Sequence, residues 1–416
     1  MSRKTNKNIP ELRFLEFIED LKLMYLGEIL DFKNGINADK TKYGRGYKFI
    51  NVLDIINEAP IYYKTIIGSV NVTEQEFLKN DVHYGDVLFQ RSSEIREEAG
   101  QSNIYLDKDE NATFGGFVIR GRPKVKFNPI YFNYLLKTKS VRKEITDRSG
   151  GSTRFNVGQN SLSEVPIFIS NSSAEQEKIA SFLGAVDMRL NQLRRKRELL
   201  QTYKRGVMQK LFSQEIRFKG AIGSSFPEWE ERKLSEISEP IKRTLEIEKE
   251  LPVLSISSGA GFLNQKERFN QVIAGSSLDK YTLIRKNEFS YNRGASKAFP
   301  YGCIYLMKEH EEALIPFVYR TFRLTCGVNS FFAQYFLTGL LDRQLRQVIS
   351  SSARMDGLLN IGEKVFYTLS VPFPHEKEQE KISDFLTTID RKIEAISRQI
   401  DRCYRFKQGL LQKMFV

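Results

Sequence analysis

EQEKIASFL at residues 175–183 returns as EQEKISDFL at 378–386, 203 positions later. Laid on 378–416 without a gap, 175–213 keeps 14 identities in 39 positions. Most mismatches join like with like: Val186 with Ile389, Leu190 with Ile393, Leu193 with Ile396, Tyr203 with Phe406. Chance does not hold register over that length. The chain carries an internal duplication, so it must fold as two related halves.

The repeated segment has a helical seam. Ile179, Leu183, Val186, Leu190, Leu193, Leu200, Val207 and Leu211 follow alternating steps of four and three, interrupted by Arg197 and Lys204. The second copy gives Ile382, Leu386, Ile389, Ile393, Ile396, Ile400, Cys403, Leu410 and Met414, interrupted by Lys407. Such a heptad pattern marks helices that pack side by side. Neither copy contains proline. At 1.5 Å per residue each predicts a rod of about 58 Å. Chain order predicts that the second helix runs back along the first, as an antiparallel pair with one globular block at each end.

The blocks are copies as well. ELRF at 11–14 is answered by EIRF at 215–218, and Tyr25-Leu-Gly-Glu-Ile by Lys233-Leu-Ser-Glu-Ile. FINVL (49–53) pairs with PVLSI (252–256) as an extended piece, and GDVLFQR (85–91) with NEFSYNR (287–293) as a strand ending in arginine. FVIR (117–120) pairs with FVYR (317–320), and the buried-helix stripe Tyr131, Phe132, Leu135, Leu136 with Phe331, Phe332, Tyr335, Phe336. Short strands VPIFI (165–169) and LSVPF (369–373) lead into the helices, whereas FPYGCIYLM has no close counterpart. Because an ELRF-like segment both opens the chain and follows the first helix, the order is circular, and Val416 is expected near the N-terminal segment. The reading is an α+β fold: two similar mixed α/β domains separated by long antiparallel coiled-coil helices with pseudo-twofold symmetry. The boundaries are an N-terminal segment 1–20, a first domain 21–172, a central helix 173–213, a linker 214–226, a second domain 227–374 and a C-terminal helix 375–416.

Lys and Arg exceed Asp and Glu by 64 − 51 = 13, with a pI near 9.4. That balance favours a polyanionic partner, nucleic acid first, although composition alone leaves open a basic protein without one. Three cysteines and three histidines, scattered, outline neither a disulfide framework nor a zinc site. No apolar run approaches the roughly 20 residues that span a bilayer, and the basic start MSRKTNKNIPELRF lacks a signal peptide's apolar core. A reduced, cytoplasmic protein is the expectation.

Catalytic signatures are missing. No GxxxxGK[ST] loop, zinc motif, EF-hand or serine elbow occurs. Asn128-Pro129-Ile130-Tyr131 is a weak likeness of the Asn-Pro-Pro-aromatic motif of adenine methyltransferases, and a turn that starts a helix is the better reading. Binding chemistry is richer. The first block offers Arg45, Lys48, Arg91, Ser92, Arg120, Arg122, Lys124, Arg148, Ser152, Thr153 and Arg154. The second offers Asn292, Arg293, Ser296, Lys297, Arg320, Arg323, Ser351 and Arg354. Lys and Arg neutralise phosphates, and Arg, Asn and Ser can read base edges in the major groove. Each residue alone reads first as a solvated surface group; the set, at matching points of two blocks, is what points to DNA.

The duplicated EQxKI…FL…D helices, the GDVLF/NEFSYN strands and the ELRF…LGEI-like starts together resemble the specificity subunit of type I restriction-modification systems, over essentially the whole chain. The resemblance implies that each block is a target recognition domain for one half of a bipartite site in double-stranded DNA. It implies that the helices set the spacer and dock two modification (methyltransferase) subunits. S-adenosylmethionine, ATP and Mg would then belong to the modification and restriction (translocase/nuclease) partners, and this chain would be non-catalytic, with no cofactor or metal. The alternatives are a self-sufficient tandem-domain DNA methyltransferase or nuclease, and a coiled-coil scaffold that binds only protein.

Overall fold

A computed structural model describes residues 9–244, 250–265, 280–349 and 358–416. The chain forms two compact units, Met1–Arg194 with Arg398–Val416 and Arg195–Ser397. The repeated segments are two uninterrupted helices, Ser173–Phe212 and Glu376–Met414, and each contributes to both units.

In the first unit, strands Leu30–Asn34, Val118–Pro123, Val87–Gln90 and Ser102–Ile104 form an antiparallel sheet in that order. The second unit repeats it with Ser238–Pro240, Arg320–Leu324, Phe289–Asn292 and Cys303–Leu306. FPYGCIYLM thus supplies the edge strand that SNI (102–104) supplies in the first unit, a correspondence hidden by divergent side chains. The turns before Val87 and Phe289 also match. Gly85 (φ 89°) and Asn287 (φ 65°) both take the left-handed region, which glycine and asparagine tolerate best.

The expectation that FINVL is extended holds only to Ile50. Strand Tyr43–Ile50 ends because Asn51 caps the helical turn Val52–Ile55. Its Oδ1 accepts from Leu53 N at 2.8 Å, and its own N donates to Asp54 Oδ2 at 2.8 Å, a capping box. Asn128 caps helix Pro129–Leu136 by accepting from Tyr131 N at 3.0 Å, in line with the turn reading of that motif.

The seam is buried. In the first unit Ile179, Ala180 and Leu183 share one core with Leu410, Leu411, Met414 and Phe415. In the second, Met208, Leu211 and Phe212 share a core with Ile382, Leu386 and Ile389. Leu190, Leu193 and Ile396 are buried, and Val186 and Ile393 are half-buried. Within each unit the start of one helix lies against the end of the other, so the two run antiparallel. Two of the charged interruptions have a purpose in this arrangement: Lys204 pairs with Asp390 and Lys407 with Asp187, each at 2.6 Å. These four residues are two positions of the repeat, written twice.

The repeated Glu-Gln at the head of each helix fastens it to its unit. Arg13 of ELRF donates to Glu175 at 2.6 and 2.8 Å, and Arg217 of EIRF to Glu378 at 3.1 and 2.9 Å. Both carboxylates are buried, and Ser170 Oγ (2.5 Å) or Trp229 Nε1 (3.0 Å) supplies a further donor. Gln176 and Gln379 accept from the backbone N–H groups of Asn128 (2.7 Å) and Val328 (2.8 Å), at the head of the buried block helix. Circular order is also present: Leu12 N donates to Lys413 O at 2.7 Å, as Ile216 N does to Lys210 O at 3.2 Å.

Candidate nucleic-acid interface

Each sheet ends one of its inner strands on an arginine, Arg91 after Val87–Gln90 and Arg293 after Phe289–Asn292. Their surroundings match. Arg91 O accepts from Val157 N at 3.0 Å, and Arg293 O from Leu359 N at 2.9 Å. The Arg91 guanidinium donates to Gly116 O at 3.4 Å, and that of Arg293 to Val318 O at 3.0 Å. Phe117, whose carbonyl accepts from Arg91 N at 2.8 Å, and Phe317, which precedes the Val318 carbonyl met by Arg293, are both 62% accessible. Each strand end is therefore held by backbone contacts and flanked by a ring free to contact a partner. Composition concealed both rings, because the pattern FVIR/FVYR reads simply as a strand.

In the first unit the polar loop after Arg148 folds back over this end. Phe155–Asn156 pairs with Ser92–Ser93, and Ser92 Oγ donates to Asn156 Oδ1. The loop leaves Ser152, Thr153 and Arg154 exposed. Ser92, Ser93, Gln90, Phe117 and Arg154 line an open cavity of about 450 Å³. In the second unit Asn292 donates to Ile256 O at 3.1 Å and accepts from Gly294 N at 2.9 Å. Ser296 caps Phe299 N at 3.1 Å, and Lys297 is exposed. Ser351 and Arg354 lie outside the described residues.

Arg45 is exposed on strand Tyr43–Ile50, between Gly44 and Gly46, whose φ values are 93° and 88°. At Gly46 a Cβ would stand 2.5 Å from Val70 O, so the glycine permits the bulge that interrupts this strand's pairing. Exposed Lys40 and half-buried Lys42 precede it. Neither lysine is among the residues expected from sequence, although the run KTKYGRG marks a basic turn.

Several other expected residues are engaged within the fold. Arg120, expected at the surface, is 4% accessible; it donates to Asp81 O at 2.5 Å, and its Nε has no partner. Burial, and then Arg122, hold its guanidinium below the ordinary value. Arg122 is clamped by Asp86 (2.9 Å) and Asp81 (3.0 Å). Burial alone would raise Asp81, but the hydrogen bonds from Arg122 and His83 hold it below the ordinary carboxylate value. Arg320, half-buried, donates to Ile361 O, and burial followed by Arg293 lowers it likewise. Lys48 donates to Ile66 O at 2.5 Å and Lys124 to Gly27 O; Arg148 pairs with Glu144 at 2.5 Å and Arg323 with Glu239. These four remain accessible or partly so, with local partners already in place.

The sets that stay open at the strand ends are Arg91, Ser92, Ser152, Thr153 and Arg154 in one unit and Asn292, Arg293, Ser296 and Lys297 in the other. Each pairs a held guanidinium with uncharged donors and acceptors, the combination that positions on phosphates and reads base edges. Replacing exposed Arg154 by alanine is expected to reduce the slope of log affinity against log salt by about 1, with folding stability unchanged. DNA titration at several salt concentrations measures it; an unchanged slope removes Arg154 from the interface. Among the described residues, no group of three or more His, Cys, Asp or Glu could hold a metal ion, and no helix is long and apolar enough to cross a membrane.

Residues 18–201 match the family described as Type I restriction modification DNA specificity domain. The type I restriction enzyme MjaVIII specificity subunit of Methanocaldococcus jannaschii is 28% identical over 67 residues, 16% of each protein. Similarity of structure extends much further. The type I restriction-modification S subunit from M. genitalium superposes with a TM-score of 0.55 at 17% identity, over 98% of this chain and 99% of that one. A chain from work on complex assembly and conformational transition of the type I R-M system gives 0.56 at 14% identity, over 94% and 97%. At such identities the superpositions establish a common fold.

Proposed function

We propose that this chain, whose residues 18–201 match the type I restriction-modification DNA specificity domain, is the DNA-sequence reader of such a complex, each unit reading one half of a bipartite target. The observation that carries this reading is the matched pair of strand ends. Two copies of one scaffold present an anchored arginine and an exposed phenylalanine, yet surround them with different polar side chains. A shared scaffold with dissimilar loops suits two readers of two different half-sites. Two modest readers on one chain gain affinity through effective concentration when their separation matches the span of the site.

On this reading the two long helices set the spacer and dock two modification subunits, and restriction subunits join that assembly. Methyl transfer, with S-adenosylmethionine, and ATP- and Mg-dependent translocation and cleavage belong to those partners in the cytoplasm. This chain then contributes recognition without catalysis or a cofactor.

The test is a domain exchange. Residues 21–172 are replaced by the corresponding block of another family member, and methylated sites are mapped in cells expressing the chimaera with its partners. The expected outcome is a new sequence in one half-site, with the other half unchanged. A change in both halves, or in neither, overturns the assignment of one unit to one half-site. Methyl transfer by the purified chain alone would overturn the non-catalytic role.

A further inference from the structure

We propose that the first unit contains a binding site for a small organic anion, in the cavity bounded by helix Pro129–Leu136, residues 55–60 and the C-terminal helix, with Lys137 and Arg142 as its cationic groups. The cavity measures about 330 Å³, at the lower end of the range for small-molecule sites. Ile55, Pro60, Ile130 and Leu411 give it apolar walls, with Tyr404 at its rim. The proposal is independent of DNA reading.

Two lining groups are buried polar atoms without a partner, Ser102 Oγ and Asn133 Oδ1. Both residues are at most 5% accessible. An unmet buried polar atom is costly, so a guest that carries a hydrogen-bond donor beside its anionic group has something to gain there.

The charges are unbalanced in a specific way. Asp187 is already met by Lys407 and by Tyr134 Oη, each at 2.6 Å. Glu58 is met by Arg194 at 2.7 Å. Lys137 and Arg142, by contrast, contact backbone carbonyls: Lys137 that of Glu58 at 3.4 Å, Arg142 those of Ala99 at 2.7 Å, Glu97 at 3.0 Å and Gly100. Burial, and then neighbouring Lys407, push the Lys137 ammonium down to about 8; burial pushes Arg142 down to about 10. Both would recover on meeting an anion.

The repeat supplies the control. At the matching positions of the second unit Asn133 is replaced by Ala333 and Lys137 by Leu337, while the scaffold ion pair Lys204–Asp390 is kept. The Asn133 amide and the Lys137 ammonium are thus present in one half and not at the matching positions of the other.

The experiment is calorimetric titration of the full chain with inorganic phosphate, phenyl phosphate and 4-hydroxybenzoate. At least one of the two organic anions is expected to saturate a single site with sub-millimolar affinity. Comparing those two separates phosphate from carboxylate preference, and inorganic phosphate reports whether the apolar body is needed. Lys137→Met should weaken binding at least about tenfold, a change of about 1.4 kcal/mol. Binding to the wild type should also weaken from pH about 7 to about 9, as the Lys137 proton that favours the bound state is lost. That pH profile decides the matter should the variant fail to fold. Absence of binding by every probe, binding confined to inorganic phosphate, or binding that ignores both Lys137→Met and pH overturns the proposal. So does loss of binding in Arg154→Ala, which would place the anion on the DNA face.

Discussion

Glu378→Ala is expected to lower the stability of the second unit by about 3 kcal/mol, read as a lower urea midpoint. The carboxylate is fully buried and takes donors from Nε and Nη2 of Arg217 and from Trp229. Truncation leaves the guanidinium and the indole N–H with part of their partners gone. Breaking a buried pair from one side costs about 3–5 kcal/mol, and Arg217, one-fifth accessible, recovers some hydration. Glu378→Gln keeps an acceptor and should cost less. Glu175→Ala should act similarly on the first unit, where Ser170 also loses its acceptor. A cost below about 1 kcal/mol for both alanine variants would show that the head of each helix is held by its apolar seam alone.

Asp390→Ala is expected to cost about 2 kcal/mol. Asp390 accepts from Lys204 at 2.6 Å and from Gln334 Nε2 at 2.8 Å, and Lys204 is mostly buried in the seam. Its loss leaves the mostly buried Lys204 cation and the buried Gln334 amide without this acceptor. Lys204→Met in the same background should recover much of that loss, because the unpaired cation disappears while the stem is retained. The double-mutant cycle should give a coupling of about 1–2 kcal/mol; purely additive costs would contradict a direct pair. Asp187 and Lys407 provide the same cycle in the first unit, with Tyr134 in place of Gln334.

Architecture was legible in the sequence because duplication is a long-range signal. The matched landmarks placed the helices and the short strands leading into them, and the circular order predicted that Val416 lies near the N-terminal segment, where Leu12 N meets Lys413 O. The identities also mark buried contacts. Glu175, Gln176, Asp187 and Lys204 recur unchanged because each satisfies a buried or half-buried partner within a unit. Which arginines stay open at the strand ends was much harder to recognise. Arg120 and Arg91 have similar sequence settings, each at a strand residue after an apolar run. What separates them is the acidic Asp81–Asp86 turn packed beside Arg120, a tertiary neighbour that no local pattern announces. The same holds for Phe117 and Phe317, whose exposure follows from the turn that ends the preceding segment. FINVL misled for a local reason, since Asn51 and Asp54 form a cap that outweighs the β-branched neighbours.

The division into units also bears on the order in which the protein is completed during synthesis. The second unit is one continuous stretch, Arg195–Ser397, whereas the first needs Arg398–Val416. Leu410, Leu411, Met414 and Phe415 belong to the first unit's principal core. On the ribosome, the half translated first therefore waits for residues made more than 200 positions later, while the half begun second can close without them. Contacts of such long sequence separation are slow to form, and an incomplete core exposes apolar surface in the meantime. The earlier-made half is the last to finish.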